Sequence, residues 1–102
     1  MEVAIIGGGN FGTAIANIVA ANGHTTHLWM RDVEQAQEVA RRRENRRYLP
    51  GHPLAAGINP TADLAIAAAS AELLFVTVPS QSFREVCSQI EPYVRPQDVL
   101  IS

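Results

Sequence analysis

The sequence predicts an α/β fold, a doubly wound parallel sheet of about five strands with helices on both faces. Three observations lead there. Short continuous apolar runs are bounded by turn residues, as strands covered on both faces require. Segments with helical spacing alternate with those runs, and a glycine-rich turn joins the first run to the first helical segment. The 102 residues make one domain, 1–102, and 47% hydrophobic with 18% charged residues is a globular rather than a disordered composition.

The apolar run 3–6 (VAII) reads as the first strand, and it ends at Gly7, Gly8 and Gly9. Phe11, Ala14, Ile15, Ile18, Val19 and Asn22 then fall at helical spacing, with Gly23 placed for a left-handed cap. Residues 25–30 form the second strand and 33–43 the second helix. Residues 44–60 carry three prolines and two glycines and are expected to be mostly loop, with a short strand near Ile58. Thr61 is placed to cap an Ala-rich helix running to about Ala69. Residues 73–78 are the most strand-like run and end at Pro79. Ser82 and Glu85 have capping-box spacing, and Phe83, Val86, Cys87 and Ile90 form the apolar stripe of the helix that follows. Pro92 and Pro96 bracket its end before a last strand, Val99–Ile101.

Composition excludes several functions. A net charge of −2 lacks the basic excess of a nucleic-acid footprint, so the cluster of Arg41, Arg42, Arg43, Arg46 and Arg47 is expected to cover a helix end as solvated charge. Cys87 is the only cysteine, so neither an intrachain disulfide nor a Cys–His metal site can form, and the compartment implied is the cytoplasm. Cys87 itself is expected to be an inert core thiol. Met1 and Glu2 lead straight into the first strand, and no apolar stretch is long enough to span a bilayer. His24, His27 and His52 show no metal-ligand spacing, and Trp29 reads as packing.

The chemistry lies in Gly7, Gly9 and Gly12, which spell G-x-G-x-x-G between a strand and a helix, the placement of a dinucleotide fingerprint. Gly7 permits the sharp turn, Gly9 lets backbone approach a pyrophosphate, and Gly12 lets the helix pack close to the strand. The N–H groups near Asn10 and Phe11 would face the phosphates at the positive end of the helix dipole. An acidic residue is expected about 20 positions further on, to bond the ribose 2′-hydroxyl of NAD. Asp32 has nearly that spacing, yet it could equally cap the next helix, and its neighbour Arg31 could pair with a 2′-phosphate, which points to NADPH. Ser80, just beyond the strand-ending Pro79 at the carboxyl edge of the sheet, is a candidate for a place near the nicotinamide or for a helix cap.

Taken together, the segments 7–14 (GGGNFGTA), 22–24 (NGH), 28–32 (LWMRD), 44–50 (ENRRYLP) and 78–81 (VPSQ) resemble the N-terminal part of bacterial NAD(P)-dependent glycerol-3-phosphate dehydrogenase, from end to end. The resemblance implies a Rossmann-like domain with NADP or NAD as cofactor. It also implies an oxidoreductase that interconverts dihydroxyacetone phosphate and sn-glycerol 3-phosphate and feeds phospholipid synthesis. It puts Asn10, Phe11, Arg31 and Tyr48 at cofactor-contacting positions, and Pro79 joins them and the three glycines in the expected site. Serine or tryptophan, and tyrosine, are commoner at the positions of Asn10 and Phe11, a departure that keeps a polar residue followed by an aromatic one.

The resemblance also implies a Lys-Gly motif just past Ser102 and a catalytic lysine in a C-terminal helical substrate domain. This chain holds no lysine, so no catalytic residue is assigned to it. Two other readings stand beside this one: a stand-alone NAD(H)-sensing module, and the cofactor domain of another two-domain reductase such as a ketopantoate reductase relative. The LWMRD and NRRYLP segments argue against the latter. An uncovered apolar edge with an unpaired strand Val99–Ile101 leads to the expectation of a homodimer.

Overall fold

The computed structural model describes residues 1–95 and 98–101; Pro96, expected to bracket the last helix, lies outside the described residues. Strands and helices alternate as β1 (Glu2–Ile6), α1 (Asn10–Ala21), β2 (Thr25–Trp29), α2 (Val33–Arg42), β3 (Ile58–Thr61), α3 (Leu64–Ser70), β4 (Leu73–Val76), α4 (Ser80–Ile90) and β5 (Val99–Ile101), with a 3₁₀ turn at Glu91–Tyr93. The five strands form one sheet in the order β3-β2-β1-β4-β5, and every pairing is parallel. This is the predicted doubly wound sheet.

Alternation along β1 divides the core into two layers. Ala4 and Ile6 face Ala67 and Ala68 of α3 and Val86 and Ile90 of α4. Val3 and Ile5 face Ala16 of α1, Ala36 and Val39 of α2, and Leu54 and Ile58. Phe83 and Cys87 pack against the first layer, as their stripe predicts. In α1, Ile15 and Val19 pack on the core, but Phe11 and Ile18 stand exposed, and the fully buried residues are Gly12, Thr13 and Ala16. At those three positions the helix lies too close to the sheet for a large side chain.

The ends of the elements follow local chemistry. Gly23 after α1 takes φ +92°, the left-handed cap expected of it. Asp63, not Thr61, caps α3: its carboxylate accepts the Ile66 N–H, while Thr61 finishes β3 and receives the Asp63 N–H on its hydroxyl. The Ser82–Glu85 capping box does not form, because α4 starts earlier, at Ser80, and Glu85 pairs with Arg31 instead. Pro60 sits inside β3 and is tolerated because β3 is an edge. Thr26 and Met30 donate to the carbonyls of Gly57 and Thr61, so the ladder uses the odd-numbered residues and the Pro60 nitrogen faces outward. Near β5, the backbone N–H and guanidinium of Arg95 hold the Asp98 carboxyl below the usual carboxylate range. Arg95 also donates to the Ala71 carbonyl at 3.0 Å.

Residues 44–57 are loop, as the prolines and glycines predict, but side chains fix them. Asn17 accepts from the Ala55 N–H at 2.9 Å, Glu44 accepts from the Gly51 N–H at 2.9 Å, and Leu54 is buried. Arg43 ends α2 in a left-handed conformation (φ 56°) and donates to the carbonyls of Ala55 and Ile58 at 2.8 and 2.9 Å. It is therefore a structural clamp rather than solvated charge. Its neighbours keep the expected surface role in the ion pairs Arg42–Glu38 and Arg46–Glu44.

The closeness of α1 to the sheet gives a direct expectation. Ala16→Leu, which forces extra volume into a fully buried contact, should cost about 1–3 kcal/mol. A lowered urea midpoint with an unchanged slope is the result expected from equilibrium unfolding.

Candidate functional site

The strand order reverses between β1 and β4, and in open parallel sheets the crevice at such a point, beyond the carboxyl ends of the strands, is where ligands bind. A cleft of about 490 Å³ lies there. Every residue expected in the cofactor site lines it: Gly7, Gly9, Asn10, Phe11 and Gly12 from the first turn, Arg31 after β2, Tyr48 from the loop and Pro79 before α4. A larger groove of about 870 Å³ lies beside β3, between α2 and α3, away from the reversal point and the glycine turn. Position, not size, selects the site.

The floor of the cleft is backbone. Gly7 takes φ +137°, and a Cβ there would meet the Thr77 hydroxyl at 2.6 Å. A Cβ on Gly12 would overlap the Gly7 carbonyl oxygen and sit 2.7 Å from the same hydroxyl. Thr77 holds this junction from β4's end: its N–H donates to the Ile6 carbonyl at 2.9 Å, and its hydroxyl lies 3.3 and 3.2 Å from the carbonyls of Ile6 and Gly7. Gly9 differs from the other two, since a Cβ there would meet no described atom within 4 Å. Gly9 is also the N-cap of α1 and offers no side-chain cap, so first-turn N–H groups remain for a ligand. The Phe11 N–H bonds locally to the Asn10 side-chain oxygen at 2.8 Å. Open space in front of uncapped helix donors is what a pyrophosphate needs, and these residues fit the group.

The walls carry polar and aromatic side chains. Phe11 is 67% exposed and Tyr48 41% exposed, both lining the cleft, and the Arg47 guanidinium lies 5.4 Å from the Tyr48 ring centre. Of the arginine cluster, none lines the cleft. Arg31 does, and its only described ion pair is an exposed contact with Glu85 at 3.6 Å, the kind worth at most about 1 kcal/mol and readily exchanged for a phosphate. Asp32 does not line it: its carboxylate accepts from the Glu34 and Gln35 N–H groups and caps α2. Of the two roles open to Asp32 in the sequence, the cap is the one the structure contains.

Ser80 neither caps a helix nor lines the cleft; Ser82, in the first turn of α4, lines it. Trp29 packs as expected, its indole N–H donating to the Ala62 carbonyl at 3.1 Å. His27 meets Glu2 at 3.3 Å, and among the described residues no group of His, Cys, Asp and Glu could hold a metal ion. No helix among them is long and apolar enough to cross a membrane. Thr77 escaped the sequence reading, and Asn45 entered it only within the 44–50 segment, with no role. Thr77 pins the glycine turn, and Asn45, fully buried in the loop, donates to the Gly8 carbonyl at 2.8 Å. Neither belongs to a periodic pattern, and the Asn45 contact spans 37 residues of chain.

A parallel sheet with reversed strand order, a glycine turn feeding an uncapped helix, and a cleft at that point define a Rossmann-type dinucleotide-binding domain. Residues 2–102 match the family described as NAD-dependent glycerol-3-phosphate dehydrogenase N-terminus, and the chain belongs to that family. A protein of Teredinibacter turnerae named glycerol-3-phosphate dehydrogenase (NAD(P)+) is 48% identical over 102 residues, which is all of this chain and 30% of that protein. One of the same name from Saccharophagus degradans is 46% identical over 100 residues, 98% of this chain and 28% of that protein. The crystal structure of glycerol-3-phosphate dehydrogenase from Coxiella burnetii superimposes with a TM-score of 0.92 at 28% identity, covering 97% of this chain and 30% of that one. The chain thus spans about 30% of the length of the relatives it matches and is their N-terminal, nicotinamide dinucleotide-binding part.

If Asp32 acts only as a cap, Asp32→Ala should lower stability by about 0.5–2 kcal/mol while leaving NADPH affinity within a factor of about two. Thermal unfolding and calorimetric titration of one preparation measure both, and a large loss of NADH affinity would instead give the carboxylate a ribose contact.

Proposed function

We propose that the chain is the cofactor-holding part of a glycerol-3-phosphate dehydrogenase that interconverts dihydroxyacetone phosphate and sn-glycerol 3-phosphate in the cytoplasm, for glycerophospholipid synthesis. The observation that carries this is the convergence of all eight expected residues on one cleft in a chain of that family. Backbone N–H groups around Gly9 and Asn10 take the pyrophosphate, Phe11 and Tyr48 flank the cofactor, and Pro79 borders the nicotinamide end. When bound, the reduced nicotinamide supplies the hydride that turns a ketone into a secondary alcohol. The proton for the ketone oxygen comes from outside residues 1–102, which contain no lysine, and so does the substrate phosphate site. The domain therefore holds and orients the cofactor, and catalysis needs the remainder of a full-length enzyme.

Between the two dinucleotides we favour NADPH. Arg31 borders the cleft with an easily surrendered partner, and the nearby carboxylate is already bonded to helix N–H groups. A guanidinium suits a 2′-phosphate, whereas NAD recognition relies on an acidic acceptor. In a titration of the chain followed by nicotinamide fluorescence, NADPH should bind more tightly than NADH, with no NADPH consumed when dihydroxyacetone phosphate is added. Arg31→Ala should weaken NADPH by about tenfold or more and NADH little. Equal losses would remove the role of Arg31, and turnover by the chain alone would overturn the division of labour.

We also propose that the chain self-associates as a homodimer. Among the described residues β5 pairs only with β4, and Val99 and Ile101 are exposed on it, so an open backbone edge and apolar side chains lie together. Light scattering across a concentration series should give the mass of two chains; a constant single-chain mass would rule this out.

A further inference from the structure

We propose that Asn45 is a positioning residue for dinucleotide binding, setting the direction in which the backbone of the glycine turn presents its N–H groups; the inference rests on the reading of the cleft as the dinucleotide site. Asn45 is fully buried, and its side-chain Nδ2 makes two bonds, to the Gly8 carbonyl at 2.8 Å and to the Thr13 hydroxyl oxygen at 2.9 Å. Thr13 passes the link on, its hydroxyl donating to the Gly9 carbonyl at 2.7 Å. The Gly9 carbonyl also accepts the Thr13 N–H at 3.0 Å as the first helical bond of α1, so the Gly8 carbonyl is the one whose direction rests on Asn45 directly.

The trans peptide makes this matter for binding. In a planar trans unit the C=O of one residue points opposite to the N–H of the next. Drawing the Gly8 and Gly9 oxygens toward Asn45 and Thr13 therefore sends the Gly9 and Asn10 N–H groups the other way. It also keeps two negative dipole ends off the path of a pyrophosphate. Gly7, Gly8 and Gly9 leave the turn free to flip its peptide planes; Trp29 and Thr77 hold Gly7 and the α1 backbone holds the Gly9 carbonyl, so the Gly8–Gly9 peptide is the one that Asn45 orients.

Asn45 also organises the facing wall. Its backbone carbonyl accepts the N–H groups of Tyr48 and Leu49 at 3.3 and 2.7 Å, so one residue sets both the glycine turn and the turn that presents Tyr48 to the cleft. Its Oδ1, by contrast, is buried with no partner among the described residues. An unmet acceptor of that kind works against stability, so what the side chain contributes lies in its two donated hydrogens.

Asn45→Asp keeps the shape and removes those donors, and the test compares it with the native chain for NADH, ADP and adenosine by NMR titration. NADH and ADP, which carry the pyrophosphate, should weaken by about tenfold or more, while adenosine, which lacks it, should bind as before. Native affinity for ADP in the variant, or equal losses for ADP and adenosine, would overturn the proposal. Should Asn45→Asp fail to fold, Thr13→Val removes only the relay hydroxyl, and a smaller loss confined to NADH and ADP is expected; unchanged ADP affinity there would likewise overturn it. Failure of the native chain to bind NADH and ADP would instead fell the reading of the cleft itself.

Discussion

Helix α1 meets the end of β1 at a distance no side chain tolerates, with a Cβ on Gly12 overlapping the Gly7 carbonyl oxygen. This approach fixes the rest. It brings Ala16 flush against the sheet, so the fully buried residues of α1 are small, Ile15 and Val19 pack against the core only in part, and Phe11 and Ile18 stand outside. It points the first turn of α1 at the place where strand order reverses, so the helix dipole and its uncapped donors face the crevice. Thr77 then locks the two central strands together beneath the turn. Remove the close contact and sheet packing and ligand site fail together.

Much of this was legible because it rests on local chemistry. The parallel strands announce themselves as apolar runs such as residues 3–6, and the glycine spacing is dictated by a backbone geometry only glycine meets. The resemblance to a family added Tyr48, which no spacing argument would have chosen. What stayed hidden depends on distant contacts. Thr61 and Asp63 are both good caps two residues apart, and which of them caps α3 is decided by how far the ladder to β2 extends β3. Ser82 and Glu85 match a capping pattern, yet α4 begins straight after Pro79. Arg43 reads as one charge among five and turns out to hold the loop to β3 through two carbonyls.

The loop of residues 44–57 shows the same division. Its proline and glycine content correctly predicts the absence of helix and strand, but composition says nothing of its rigidity. Asn17, Asn45 and Glu44 satisfy backbone groups that would otherwise need water, and this lets an irregular segment serve as one wall of a binding cleft. Two of these anchors reach into α1 or the turn before it, so the loop's position follows that of the glycine turn rather than that of the sheet edge it leads to.

The outward-facing nitrogen of Pro60 makes the two borders of the sheet unequal. On the β3 side one hydrogen-bond donor in the outer row is missing, so a newcomer strand would find an interrupted template there. On the β5 side Val99 donates inward to the Glu72 carbonyl, so the outer row falls to Leu100, and β5 contains no proline. A strand laid along β3 would thus meet a row with a missing donor, and one laid along β5 would not.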